Sequence, residues 1–225
     1  ITDWKEERHM YNILVCDDEK DIVEALGIYL SAEGYRVTKA YNGQEACEKL
    51  KTEDVQLVLM DIMMPVMDGM ERCRRLKLEV QTSHIPVMML TAYAVDEQKI
   101  KGYECGADSY ISKPFSARLL TVRLRNLIEN RRRLQSLFAD ISNVSLQKTP
   151  VAEVDKGFLE KLHRLIEERL SDPDLSVEEL GEQIGLSRVQ LYRKTKALCG
   201  YSPNELLRIA RLKKAASLLA STEKT

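Results

Sequence analysis

The chain has no surplus of charge of either sign, with 34 Lys and Arg against 35 Asp and Glu. That balance gives no global field to draw the whole molecule to nucleic acid or to an anionic membrane. No apolar run approaches the ~20 residues that a membrane-spanning helix needs, and no signal peptide opens the chain. Cysteine is sparse and odd in number: Cys16, Cys47, Cys73, Cys105 and Cys199 include no C-x-x-C pair and have apolar or helical neighbours. They read as free thiols in a reducing compartment. A glycine-rich nucleotide box is missing, and none of His9, His84 and His163 lies in an H-E/D-x-x-x-P setting. These residues therefore contain no kinase core, and His163 in EKLHRLIEE reads as an ordinary helix-surface residue. The absences predict a cytoplasmic protein without membrane contact in this chain.

What is present is a regular alternation. The 225 residues, 44% of them apolar, suffice for one or two packed domains. After a polar leader, ITDWKEERHM (1–10), short apolar runs at 11–16, 35–40, 55–60, 85–90 and 108–111 alternate with helical patterns at 21–32, 44–50, 71–78, 96–105 and onward from 116. Two central runs are apolar almost throughout, as befits parallel strands covered on both faces. Five βα units in series predict an α/β fold with a doubly wound, five-stranded parallel sheet over 11–130. The last helix continues past this domain with Leu120, Leu124, Leu127, Arg131, Leu134 and Phe138 at heptad spacing. Its first half is expected to pack on the sheet; the remainder is either an amphipathic linker or a coiled-coil-like dimer contact. The segment 131–156 is thus a helical extension and linker, and beyond it every pattern is helical, at 156–170, 177–184, 188–198 and 204–220.

In doubly wound sheets, ligands bind beyond the carboxyl ends of the strands. The residues there are Asp17 and Asp18 after the first strand, Asp61 after the third, Thr91 after the fourth, and Lys113 shortly past the fifth. Three clustered carboxylates would raise one another's pKa unless a cation stood among them. Hard oxygen ligands at an open, hydrated site suit Mg²⁺. Lys113 offers a point charge to an incoming anion, and Thr91 a hydrogen bond.

The motifs DD (17–18), MDIMMPVMDG (60–69), LTA (90–92) and SKPF (112–115), in this order after these strands, resemble the receiver domain of two-component response regulators. The resemblance implies that Asp61 is the phosphoryl acceptor. It implies Mg²⁺ ligation by Asp18, Asp61 and the backbone carbonyl of Met63, with Asp17 acting chiefly through water. Lys113 would pair with the phosphoryl oxygens, with a cis bond to Pro114 shaping its loop, while Pro65 and Gly69 hold the turn after the acceptor. Thr91 and Tyr110 match the switch pair that reports phosphorylation. Met63 and Tyr93, two residues beyond Asp61 and Thr91, would hinder an attacking water and slow loss of the phosphoryl group.

The neutral total hides a polarised C-terminal region, 157–225. Residues 185–215 hold eight Lys or Arg and one acid, whereas 151–184 hold four basic residues and ten acids. In LSVEELGEQIGLSRVQLYRKTKALCG (175–200), Ser176 and Glu179 form a capping box, Gly185 breaks the helix, Ser187 caps the next and Gly200 ends it. Two short helices across a tight glycine turn predict a helix-turn-helix. Leu191, Thr195 and Leu198 share an inward stripe of the second helix; Ser187, Arg188, Val189, Tyr192, Arg193 and Lys196 are the candidate DNA contacts. Residues 158–220 resemble the first half of an AraC-type DNA-binding domain, without that family's second helix-turn-helix.

The combined expectation is a transcriptional response regulator and not an enzyme in its own right. A histidine kinase phosphorylates Asp61, and the change promotes homodimerisation and DNA binding, weak or incomplete with one reader. Two alternatives stay open: a phosphorylation-controlled scaffold whose C-terminal helices bind protein, or the C-terminal part of a hybrid sensor histidine kinase.

Overall fold

The computed structural model describes residues 11–64, 69–91, 105–138 and 152–222. The leader 1–10, Pro65, most of the helix expected at 96–105, and the core of the linker lie outside them. The chain divides into two compact units between Asn130 and Arg131.

The first unit is a parallel sheet in the order β2-β1-β3-β4-β5, built from β1 (Asn12–Cys16), β2 (Arg36–Ala40), β3 (Leu57–Asp61), β4 (Val87–Thr91) and β5 (Ser109–Ser112). Every residue of β1, β3 and β4 is buried. Because successive side chains point to opposite faces, an unbroken apolar run supplies two cores at once. On one face Ile13, Val15, Leu57 and Leu59 pack with Val23 and Leu30 of α1 (Lys20–Ala32) and with Leu120, Leu124 and Ile128 of α4 (Ala117–Phe138). On the other, Leu14, Val58, Met60 and Met89 pack with Ala46 and Leu50 of α2 (Gly43–Thr52) and with Cys73 and Leu76 of α3 (Gly69–Leu78).

The strands start later than the apolar runs suggest. Pro86 has no N–H to give and serves only as acceptor, from Val58 N–H at 2.9 Å, so β4 begins at Val87. Gln56 spends its side chain on the backbone N–H of Asn12 at 2.8 Å, and β3 begins at Leu57. The ends shift too. Asp61 and Thr91, expected just after their strands, are the last strand residues, paired with Leu90 and Ser112.

The second unit holds α5 (Glu153–Glu168), α6 (Val177–Ile184), α7 (Arg188–Cys199) and α8 (Pro203–Thr222) around Phe158, Leu162, Ile166, Leu180, Leu191, Leu198, Leu206 and Leu207. Its local signals are strong. Capping boxes form at Ser176–Glu179 and Ser187–Gln190, and Gly185 and Gly200 take left-handed φ of 85° and 76° where a side chain would strain the turn. A Cβ on Gly181 would stand 2.6 Å from the Leu186 carbonyl oxygen, so the α6–α7 turn closes only over glycine. Of the heptad positions of α4, Leu120 and Leu124 lie in the core of the first unit, while in the second unit Leu134 packs against that unit's core and Arg131 stands 3.9 Å from Asp155.

One basic residue of α7 is not on the surface. Lys194 is fully buried, with Nζ 2.6 Å from Asp155 Oδ1 and 5.0 Å from the Phe158 ring centroid. Its place three residues after Leu191 puts it on the inward stripe, so it leaves the count of exposed positive charges. Removing one partner of such a pair strands the other charge in low dielectric. Lys194→Met is therefore expected to lower unfolding stability by about 3–5 kcal/mol in urea titrations of the full chain, with partial recovery in the Lys194→Met, Asp155→Asn double variant. An unchanged midpoint in the single variant contradicts the assignment.

Candidate functional site

The parallel strands bring the sequence-predicted acids to one edge. Asp17 follows β1 directly, and its N–H continues the ladder to the Ala40 carbonyl at 3.3 Å. Its carboxylate is fully buried, accepting from Glu19 N–H at 3.0 Å and from Lys113 Nζ at 2.7 Å. Asp61, at the end of β3, is nearly as buried and lies 3.3 Å from Lys113 Nζ. Asp18 is exposed, and one oxygen from each of Asp17, Asp18 and Asp61 falls within 4.8 Å of the others. Lys113 is held by its own backbone, whose N–H donates to the Thr91 carbonyl at 2.6 Å, and the Lys113–Pro114 peptide is cis.

Charge here is only partly balanced. Burial raises the Asp61 carboxyl above its usual range; Lys113 opposes that, while Asp17 and Asp18 add to it. Burial works against the charge on Lys113, but its bonds to Asp17 and Asp61 outweigh that and raise its pKa. Lys113 Nζ stands closer to Asp17, at 2.7 Å, than to Asp61, at 3.3 Å, which leaves Asp61 short of compensation. Carboxylate oxygens at these separations, two of them shielded from bulk water, fit a hard divalent cation.

Gly69 fixes the approach of α3 to this edge. A Cβ there would stand 2.2 Å from the Asp61 carbonyl oxygen, and its N–H donates to the Ile62 carbonyl at 3.1 Å. Thr91 is buried at the end of β4, beside the acids' strand. The Met63 side chain is about half exposed, 53%; Tyr93 lies outside the described residues. Tyr110 lies in β5, an edge strand of the sheet. It is buried there, with its hydroxyl 3.6 Å from Cys105 Sγ, a neighbour that strand periodicity does not disclose.

In the second unit Ser187, Arg188, Val189, Tyr192 and Lys196 are exposed and Arg193 partly so. Arg188 is 2.8 Å from Glu178, and Lys196 is 3.5 Å from Glu205.

A five-stranded parallel sheet with acids gathered at its carboxyl edge is the CheY-like receiver fold. The family model for the response regulator receiver domain matches residues 13–125, and the chain belongs to that family. Receiver domains take phosphate from histidine kinases and bind Mg²⁺ at an acidic pocket. Among solved structures, the chemotaxis protein CheY4 of Vibrio cholerae is 30% identical, with a TM-score of 0.50 over 52% of this chain and 97% of that one. A receiver domain protein from Methanospirillum hungatei is 31% identical, with a TM-score of 0.51 over 55% and 97%. Beyond the receiver, "Histidine kinase P4" of Formosa agariphila is 32% identical over 99% of this chain. "Probable transcriptional regulator ycf27" of Cyanidium caldarium is 36% identical over 78%. The chain spans 16% of the length of that kinase and 70% of that regulator. No helix among the described residues is long and apolar enough to cross a membrane.

The raised Asp61 pKa has a sign that can be checked. A carboxyl raised in the folded state costs stability when ionised; that cost is complete above the folded pKa and gone below the unfolded one. In metal-free buffer, Asp61→Asn is expected to raise the melting temperature near pH 7, with the gain fading as pH falls through the carboxylate range. A variant less stable than wild type at pH 7 would contradict the reading of Asp61 as an under-compensated charge.

Proposed function

We propose that the chain is a phosphorylation-dependent transcriptional response regulator in which Asp61 accepts a phosphoryl group from a histidine kinase. One observation carries this: Asp17, Asp18 and Asp61 converge within 4.8 Å, with Lys113 3.3 Å from Asp61. A carboxylate oxygen of Asp61 attacks phosphorus, the P–N bond of the donor phosphohistidine breaks, and the imidazole leaves with the electron pair and takes up a proton. Asp17, Asp18, Asp61 and the Met63 carbonyl would hold Mg²⁺, which supplies positive charge beside the transferring oxygens. Lys113 donates to the phosphoryl oxygens, which requires it to relax its bond to Asp17. Thr91 bonds the new group, and with Tyr110 it passes the change to the outer surface.

The output is an AraC-type helix-turn-helix formed by α6 and α7. Ser187, Arg188, Val189, Tyr192, Arg193 and Lys196 face the major groove, and phosphorylation promotes homodimers that join two readers. Two capping boxes and two left-handed glycines frame these helices, and their exposed face carries basic residues and Tyr192. A second reading has its own support: the alignment over 99% of this chain with a named histidine kinase favours the same two units serving as the output end of a hybrid sensor kinase. Phosphoryl transfer to Asp61 is common to both.

Incubation with Mg²⁺ and acetyl phosphate is expected to add one phosphoryl group by intact mass to wild type and none to Asp61→Ala, with EDTA abolishing the adduct. An adduct of equal yield in both proteins refutes the acceptor. In gel shifts with phosphorylated protein, affinity should fall steeply with salt. Arg193→Ala and Lys196→Ala are each expected to reduce the log–log slope by about 1 if they touch phosphates. Flat salt dependence would instead favour a protein-binding output.

A further inference from the structure

The second unit begins at Arg131, so the last turns of α4 (131–138) belong to it. Their side chains reach into the rest of that unit. Leu134 packs against its core. Arg131 stands 3.9 Å from one carboxylate oxygen of Asp155, whose other oxygen takes the buried ammonium of Lys194 in α7 at 2.6 Å. Gln135 Nε2 donates to the carbonyl oxygens of Ala197 at 2.8 Å and of Lys196 at 3.2 Å.

The polar contacts both lead to α7. The last four carbonyls of a helix have no partner within it, and Lys196 and Ala197 supply two of those four in α7, which ends at Cys199. The local cap is the N–H of Gly200, which donates to the Lys196 carbonyl at 3.0 Å from the left-handed turn. Gln135 adds a second cap from a part of the chain that precedes α5. The backbone it grips carries a candidate DNA contact, since Lys196 turns its side chain outward. Lys194, tied to Asp155 beneath the helix, directly follows another, Arg193. These ties hold the C-terminal half of α7 from behind and leave its outer face open.

We propose that Gln135 is a positioning residue of the DNA-reading surface, and that the last turns of α4 are a built part of its support. The inference rests on the reading of α6 and α7 as a DNA-binding helix-turn-helix. Its physical content is preorganisation. A helix end that frays places Lys196 in many positions relative to Arg193, and ordering it again on DNA costs affinity. Gln135 lowers that cost by bonding the orphan carbonyls before DNA arrives. It acts through α7 and touches no phosphate.

The test uses the intact chain phosphorylated with acetyl phosphate and Mg²⁺, and a duplex that the wild type enriches from a random-sequence pool. Gln135→Met keeps the length of the side chain and removes both N–H donors. It is expected to lower affinity for that duplex by a factor of about 3 or more, with the log–log salt slope unchanged because no phosphate contact is lost. Amide hydrogen exchange over residues 196–201 of the DNA-free variant should be faster by a similar factor, about 3 or more. Duplex bound per chain at saturation should equal that of wild type, because a merely structural lesion removes competent molecules and leaves the affinity of the rest. Ser136→Ala, which deletes a hydroxyl that donates to the Arg133 carbonyl of its own helix, should match wild type. Wild-type affinity in Gln135→Met overturns the inference, as does a reduced salt slope, which would make Gln135 a direct contact. A wild type that enriches no duplex overturns the DNA reading itself, and the inference with it.

Discussion

Among the described residues, three carboxylates share one edge of the sheet with one ammonium, Lys113, in contact with two of them, and the local structure is arranged around that imbalance. Asp17 and Asp61 are buried because they directly follow, or terminate, central strands that are buried throughout and, Asn12 apart, otherwise apolar. Lys113 reaches both but bonds Asp17 more closely, at 2.7 against 3.3 Å. An uncompensated carboxylate at such a place is costly by itself; it becomes useful when a divalent cation and an anionic substrate complete the charge. Gly69 serves the same end, since any side chain there would strike the backbone of Asp61.

The second unit treats buried charge in the opposite way. Lys194 and Asp155 meet at 2.6 Å beneath α7, with Arg131 nearby, and the ring of Phe158 covers the ammonium. Here the charges are matched and closed off, which suits a structural role. At the receiver edge they are left open toward Asp18, which is exposed. The same residue types thus do different work, decided by whether partners are supplied from within the fold.

Much of this was readable from residue order. Parallel strands expose their carboxyl ends together, so acids, a threonine and a lysine placed after successive apolar runs had to converge wherever the runs became one sheet. Capping residues and glycines fixed the α6–α7 turn by local chemistry alone. Less legible were the facts that depend on tertiary neighbours. Pro86 delays β4 because it has no N–H to give, and the Gln56 side chain takes the Asn12 N–H just before β3 begins. Lys194 is one of a run of basic residues in the sequence, and only its place beside the stripe of Leu191, Thr195 and Leu198 and its partner Asp155 put it inside. The burial of Tyr110 and its contact with Cys105 arise from a meeting of β5 with the turn before it, which period-two alternation does not encode.

The claim on which the account rests is that these acids form one divalent-cation site, and calorimetric titration of Mg²⁺ into the unphosphorylated chain tests it most directly. The account predicts one Mg²⁺ bound per chain in wild type, with affinity lowered by about 10-fold or more in Asp61→Asn and in an Asp17→Asn, Asp18→Asn double variant, each lost carboxylate removing both a ligand and a charge. Mg²⁺ binding of undiminished affinity in both variants, or none in wild type at millimolar Mg²⁺, would contradict it.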